Sequence, residues 1–384
     1  MTTFTQAASA FVIAIIGPLA PLLQSDFGIS RAQVGLMQSA VYVSATFCSL
    51  VGGRLADSLG ERFVLILSGA ITGAAALLFD GVGVFPTAIL TGFVLGLGTG
   101  MQHPAGSVAI MRWFPIRWRG FAMGIRQTGV PVGGVLSATL APIVALTWGW
   151  RGAYVLAGAF ALTGTALILL TYWDPKRETG PGAAPMRAMR DIMRDRTLAL
   201  IALVYNAQVA AQYAVTVYFV LFLHEALGLS LVAASSVLAV VNVAAIGARM
   251  GWGFVSDAVF GGARKPVLLI IIALTFVSVL TAALLPRETP MPVIVLVALM
   301  LGATAYSLTG IYTALTVEVS GAASAATAIA WVHVLGGFGS FGGAPLFGLL
   351  VDRTGSYRVA WLLVAAVVTT GFVAAWRVRE PLRM

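Results

Sequence analysis

Long apolar runs separated by short polar stretches dominate this chain. Twelve can be read, at about residues 5–24, 33–53, 62–83, 85–111, 120–147, 152–173, 198–223, 231–253, 266–285, 291–316, 323–350 and 359–376. A helix needs about 20 apolar residues to cross a bilayer, and each run is near or above that length. The longest polar stretch, Asp174 to Arg196, lies between the sixth and seventh runs. Its first part, DPKRETGPGAAP, has the Pro/Gly content of a linker, and its second part, MRAMRDIMRD, has room for a short surface helix. The pattern predicts an all-α membrane protein of twelve transmembrane helices. It divides into a six-span half over 1–173, a linker over 174–197 and a second six-span half over 198–384.

Composition agrees. Of 384 residues, 59% are hydrophobic and 10% charged, with a mean hydropathy of +0.95. A soluble domain carries roughly 25% charged residues. A soluble enzyme, a disordered tail and a disulfide scaffold are therefore excluded. The net charge of +9 would suggest nucleic acid on a soluble protein. Here its distribution explains it. With the N-terminus in the cytoplasm, 17 Lys and Arg fall on cytoplasmic segments, Arg249 among them, and 5 fall opposite. That bias follows the positive-inside rule and predicts both termini in the cytoplasm of an inner (plasma) membrane protein. No nucleic-acid partner is needed. The single cysteine, Cys48, excludes an intrachain disulfide. The N-terminus has no basic n-region and reads as a first span.

The two halves share a motif. GRLADSLGER runs from Gly53 to Arg62, and GFVSDAVFGGARK from Gly253 to Lys265. Gly53 and Gly253 are 200 residues apart, as are Asp57 and Asp257. Each motif follows the second span of its half. On these residues the whole chain resembles the Major Facilitator Superfamily, with Ser58 and Glu61 departing from the basic pattern of its second-to-third-span loop. The resemblance implies two pseudo-symmetric six-helix bundles with a cavity between them, working by alternating access. It implies a conformational latch at Gly53, Asp57, Gly60 and Arg62, and more weakly at Gly253 and Asp257. A narrower resemblance covers HPAGS (His103–Ser107), WFP (Trp113–Pro115), RGFAMG (Arg119–Gly124) and RQTGVPVGG (Arg126–Gly134). It is to bacterial cyanate and nitrate/nitrite-type permeases. The G-x-P-x-G-G segment is also similar to a drug-antiporter motif, but the buried Arg those antiporters carry in span four is absent. Gly96, Gly98 and Gly100 stand there instead.

The chemistry is sparse. All 14 acidic residues fall in loops or near span ends, so no buried carboxylate awaits an organic cation. Arg126 lies inside span five, about 10 Å deeper than Arg119 at 1.5 Å per residue. A charge there faces a cavity or a partner, or snorkels to headgroups or bonds backbone carbonyls. Facing a cavity, it would bind a small anion through its fork of N–H donors, with Gln127 and Thr128 adding neutral donors. Gln102 and His103 lie at similar depth on span four. His103 could bind substrate, carry a proton, or sit neutral against a carbonyl. Span seven carries Tyr205, Asn206, Gln208, Gln212 and Tyr213; span ten carries Tyr306, Thr309 and Tyr312; span eight carries Asn242 and span eleven His333. Resemblance places spans one, four, seven and ten on the cavity, and hydrogen-bond glue between helices is the other reading of each residue.

Other matches fail. GFGSFG (Gly337–Gly342) lies in a hydrophobic span, without the strand and acid of a nucleotide loop. No ATP-binding loop is present, no cofactor is implied, and three scattered His with one Cys make no metal site. The expectation is a secondary transporter of a small, organic anion, proton-coupled or exchanging, and monomeric. The rivals are a proton-driven exporter of drugs or hydrophobic metabolites, and an intramembrane enzyme or non-transporting sensor.

Overall fold

The computed structural model describes residues 1–174, 189–321 and 324–380, and these are helical with short connections. In order they form α1 (Thr2–Ala14), α2 (Ile16–Phe27), α3 (Arg31–Leu59), α4 (Glu61–Leu78), α5 (Phe85–Trp113), α6 (Ile116–Gln127) and α7 (Gly129–Thr171). Then come α8 (Met189–Arg194), α9 (Arg196–Glu225), α10 (Leu231–Ala258), α11 (Arg264–Leu284) and α12 (Met291–Ala305). The last are α13 (Thr309–Ser320), α14 (Ala325–Gly336), α15 (Phe338–Phe341), α16 (Gly343–Thr354) and α17 (Tyr357–Arg377). The short helix expected in the linker is present as α8; the Pro/Gly part of the linker lies outside the described residues.

Among the described residues, ten segments are long and apolar enough to cross a membrane. The first joins α1 and α2 over Thr2–Phe27. Another runs 50 residues, from Ala122 to Thr171, far beyond the ~20 that one crossing needs. It is broken at Gly149, whose φ of 74° lies outside the helical region. Helix α5, 29 residues long with Gln102, His103 and Pro104 inside it, is not among the ten.

The chain forms two compact units. One comprises Met1–Arg177 with Thr216–Val243, the other Glu178–Val215 with Ala244–Met384. Helices α9 and α10 thus contribute to both. In the first unit α3 packs on α5, α5 on α4, and α7 on α1 and α4. The span-four glycines explain how closely. A Cβ on Gly96 would lie 2.1 Å from the Val41 carbonyl oxygen, and one on Gly100 2.3 Å from that of Ala45, both on α3. A Cβ on Gly98 would lie 2.6 Å from Thr72 Oγ1 of α4. Small residues let helices approach where lipid supplies no hydrophobic drive to associate. Arg31, opening α3, ties itself to Glu225 at the end of α9 by bonds of 3.0 and 2.6 Å.

In the second unit α11 packs on α12, α13 and α17, and α16 on α17. Hydroxyls throughout both units donate to carbonyls three or four residues back, as Ser44 does to Ala40 and Thr275 to Ile271. That satisfies them where water is absent.

Candidate functional site

Arg126 closes the last turn of α6 and is 1% exposed. Its Nη2 donates to the carbonyls of Gln102 (3.3 Å) and His103 (3.2 Å), and its Nη1 to Ser107 Oγ (3.3 Å), all on α5. Each carbonyl has two lone pairs, so it can accept this bond beside its helical one. The slot exists because residue 106 is glycine. A Cβ there would come within 2.5 Å of the guanidinium. Nε is buried without a partner, and among the described residues no carboxylate pairs with Arg126. The side chain is therefore a buried cation stitched to α5, with its Nη fork occupied by protein.

Beside it runs a chain of amides. Gln6 Nε2 of α1 donates to Gln127 Oε1 at 3.0 Å, and Gln127 Nε2 lies 3.4 Å from His103 Nε2. Gln6 and Gln102 are each 5% exposed, whereas His103 is exposed. Thr128 donates its hydroxyl to the Ile125 carbonyl at 2.6 Å. The structure thus brings Gln102, His103, Arg126 and Gln127 together, and adds Gln6 and Gly106. Sequence reasoning passed over both. A lone amide in the first apolar run was the available signal for Gln6.

The second unit holds another cluster. His333 Nε2 lies 2.9 Å from Tyr312 Oη, and its ring stacks on Tyr205 at 4.9 Å between centroids. Arg249 Nε donates to the Tyr306 carbonyl at 3.0 Å. The phenols of Tyr213, Tyr306 and Tyr312 are close enough to act on its charge. Arg249, counted above with the cytoplasmic basic residues, lies within the candidate span Leu231–Ala258. Helix α10 continues to Ala258, so Arg249 lies nine residues, about 14 Å, inside its end. The depth argument that singled out Arg126 applied equally here. Gln208 is buried and donates to the Thr304 carbonyl (2.7 Å) and Thr275 Oγ1 (3.3 Å), a helix-to-helix bond. Asn206 Oδ1 is buried without a partner, beside Gly339. Gln212 is half-buried on the same helix. Asn242, 5% exposed, belongs to the first unit, where its amide donates to the Leu238 carbonyl and abuts Gly134.

The repeated motifs end α3 and α10. Gly60 turns the chain at φ 94° into α4, and the Asp174 carboxylate accepts from Arg62 N at 2.8 Å. The Arg62 guanidinium donates to the Leu169 carbonyl at 2.7 Å. Glu61, fully buried, pairs with Arg112 of α5 and accepts from Tyr172 Oη at 3.1 Å. The side chain of Asp57 lies outside the described residues. In the other motif, beyond Gly253, Asp257 pairs with Arg264 at 2.7 Å. Arg264 also reaches Glu318 at 3.3 Å, and its backbone N–H donates to Glu380 at 2.5 Å. Among the described residues no three His, Cys, Asp or Glu side chains group as metal ligands.

Membrane-length helices packed through glycine, with cations held inside them, define a multi-pass membrane protein, and the family it matches is one of transporters rather than enzymes. The profile of the Major Facilitator Superfamily matches residues 2–341, and the chain belongs to that superfamily. A probable sulfoacetate transporter of Cupriavidus necator is 32% identical over 159 residues, covering 41% of this chain and 37% of its own. A hexuronate transporter of Bacillus subtilis is 25% identical over 94% of this chain and 89% of its own. Among solved structures, a bacterial homologue of the human lysosomal transporter Spinster, inward-facing and occupied, superposes with a TM-score of 0.79. It is 17% identical and covers 98% of this chain and 94% of its own, a likeness of fold.

Proposed function

We propose that this protein is a secondary transporter for a small organic anion, a carboxylate or sulfonate, working by alternating access and coupled to protons or to exchange. The observation that carries the reading is Arg126, buried and without a carboxylate partner among the described residues. An unneutralised cation inside a membrane protein is costly, and a mobile anion offsets that cost. Because its Nη groups hold α5, Arg126 acts through its field and its Nε, with Gln102, His103 and Gln127 supplying directional contacts. In the second unit Arg249 is a further cation inside a helix, bonded to the Tyr306 carbonyl, and Tyr306, His333, Asn206 and Gln212 are the further candidate contacts of that unit. That relatives include a probable sulfoacetate transporter and a hexuronate transporter favours the same substrate class.

The 50-residue segment is read as two spans and α5 as one, giving twelve in two halves, 1–173 and 198–384, joined by a cytoplasmic linker. The protein acts as a monomer in a bacterial inner membrane, with both termini in the cytoplasm. The motif residues Gly53, Asp57, Gly60, Arg62, Gly253 and Asp257 set the balance between conformations. The test is uptake of labelled sulfoacetate, glucuronate and lactate into proteoliposomes. Saturable uptake of at least one, lost in Arg126→Ala and blocked by the other anions, is the expected result. Export of aromatic cations with full activity in Arg126→Ala would overturn the reading.

A further inference from the structure

The amide chain beside Arg126 has a property that its members lack singly. Gln6 donates to Gln127, whose Nε2 faces the Nε2 of His103. With this polarity His103 Nε2 must be the acceptor, so the ring is neutral with its proton on Nδ1. A proton added at Nε2 would face the Gln127 amide hydrogens. The contact is restored if Gln127 turns over and offers Oε1. Its amide hydrogens then face Gln6, which must turn over too and offer its own Oε1. That oxygen is now buried without a partner. Either polarity gives the two links, and a proton on Nε2 selects the second.

We propose that His103 is the proton-binding group of this carrier, with Gln127 and Gln6 as positioning residues that couple the proton on its Nε2 from α5 through α6 to α1. The inference rests on the reading of the Arg126 site as an anion site. Among the described residues, Arg126 of α6 brings a charge beside His103, bonded to the carbonyl of His103 itself. Gln127 of α6 and Gln6 of α1 are neutral. Helix α3 passes at Gly53, which abuts Pro104, and carries Arg54 and Asp57 beyond it. Helix α4 brings Glu61, which pairs with Arg112 nine residues along α5, about 14 Å away along its axis. A neighbouring cation opposes protonation of a His. An anion drawn to Arg126 offsets that opposition, so anion and proton bind with positive and reciprocal coupling. The carrier then takes up one proton with each anion.

Two measurements on the full-length protein in nanodiscs test this. The first needs no ligand. The chain has three histidines, so the His103 ring resonance is assigned by its loss in His103→Gln and titrated by NMR. Gln6→Glu, an acceptor only when ionised, fixes the second polarity and raises the His103 midpoint by about one unit. In Gln6→Glu/Gln127→Leu, where the relay is cut, most of that rise disappears. A full rise in the double variant means that the charge acts through space, and the relay is overturned. The second is proton uptake from weakly buffered solution at pH 7 on adding sulfoacetate, glucuronate or lactate. Uptake approaching one proton per anion bound is expected in the wild type, and a ratio near zero in His103→Gln. An unchanged ratio in His103→Gln removes His103 as the proton site. If none of the three anions binds, the anion reading fails, and the ligand-free titration still decides the relay.

Discussion

An alanine at position 106 would place its methyl 2.5 Å from the Arg126 guanidinium, which is bonded to the Gln102 and His103 carbonyls of the same helix. Overpacking of this kind costs about 1–3 kcal/mol. Here it falls on one side chain, so Gly106→Ala is expected to displace Arg126 and cut anion uptake by about tenfold, roughly 1.4 kcal/mol. The thermal midpoint should drop by a few degrees at most. A variant with wild-type uptake would separate the slot from function. Arg126→Lys keeps the charge but loses the planar group that spans the Gln102, His103 and Ser107 acceptors. Its uptake is expected to fall by about tenfold or more, measured in the same vesicles. Arg126 itself was legible in the sequence, because a charge within an apolar run is conspicuous. That its Nη fork would turn into α5 was not, because the slot is made by a glycine one turn from His103 on a different helix. Arg249 was equally visible as a letter. It was passed over because α10 runs past the end of its apolar run, to Ala258.

At the scale of helices, the glycines of α5 decide how the first unit packs. Gly96→Val would drive a branched side chain into the Val41 carbonyl and Ser44 Oγ of α3. It is expected to lower stability by about 1–3 kcal/mol, read as a lower melting temperature in detergent. An unchanged melting temperature would show that α3 and α5 can part without cost. Gln208 shows where sequence reasoning stops. Its spacing with Tyr205 and Gln212 marked a polar face, but spacing alone does not say whether that face meets substrate or another helix. In the structure the Gln208 amide is taken up by Thr275 and the Thr304 carbonyl. Most of the apolar runs were legible to within several residues of the helix ends, since a bilayer demands both length and apolarity. The break at Gly149 falls where the fifth and sixth runs part, whereas the breaks after α12 and α14 were not legible, because they arise from backbone turns within apolar sequence.

Over the whole molecule, the two repeated motifs keep one plan while exchanging signs. In the first unit the acid is Glu61 on α4 and the base Arg112 at the end of α5. In the second the base is Arg264 on α11 and the acid Glu318 at the end of α13. In both, an acid that follows a later helix, Asp174 or Glu380, accepts from the opening backbone N–H groups of α4 or α11. Removing one partner of a buried pair is far more costly than exchanging both. Arg112→Ala, which strands the fully buried Glu61, is expected to destabilise the protein by about 3 kcal/mol. Glu61→Arg combined with Arg112→Glu is expected to recover much of that loss in melting temperature. No recovery would mean that surroundings such as Tyr172 fix the polarity. The reversal also bears on how such a chain can vary. A single sign change in either motif sets like charges side by side, so drift between the two arrangements must pass through a crippled intermediate or change both residues together. Grafting one motif onto the other's position would meet the same obstacle. Two motifs of one plan that have settled on opposite signs are therefore no longer spare parts for each other.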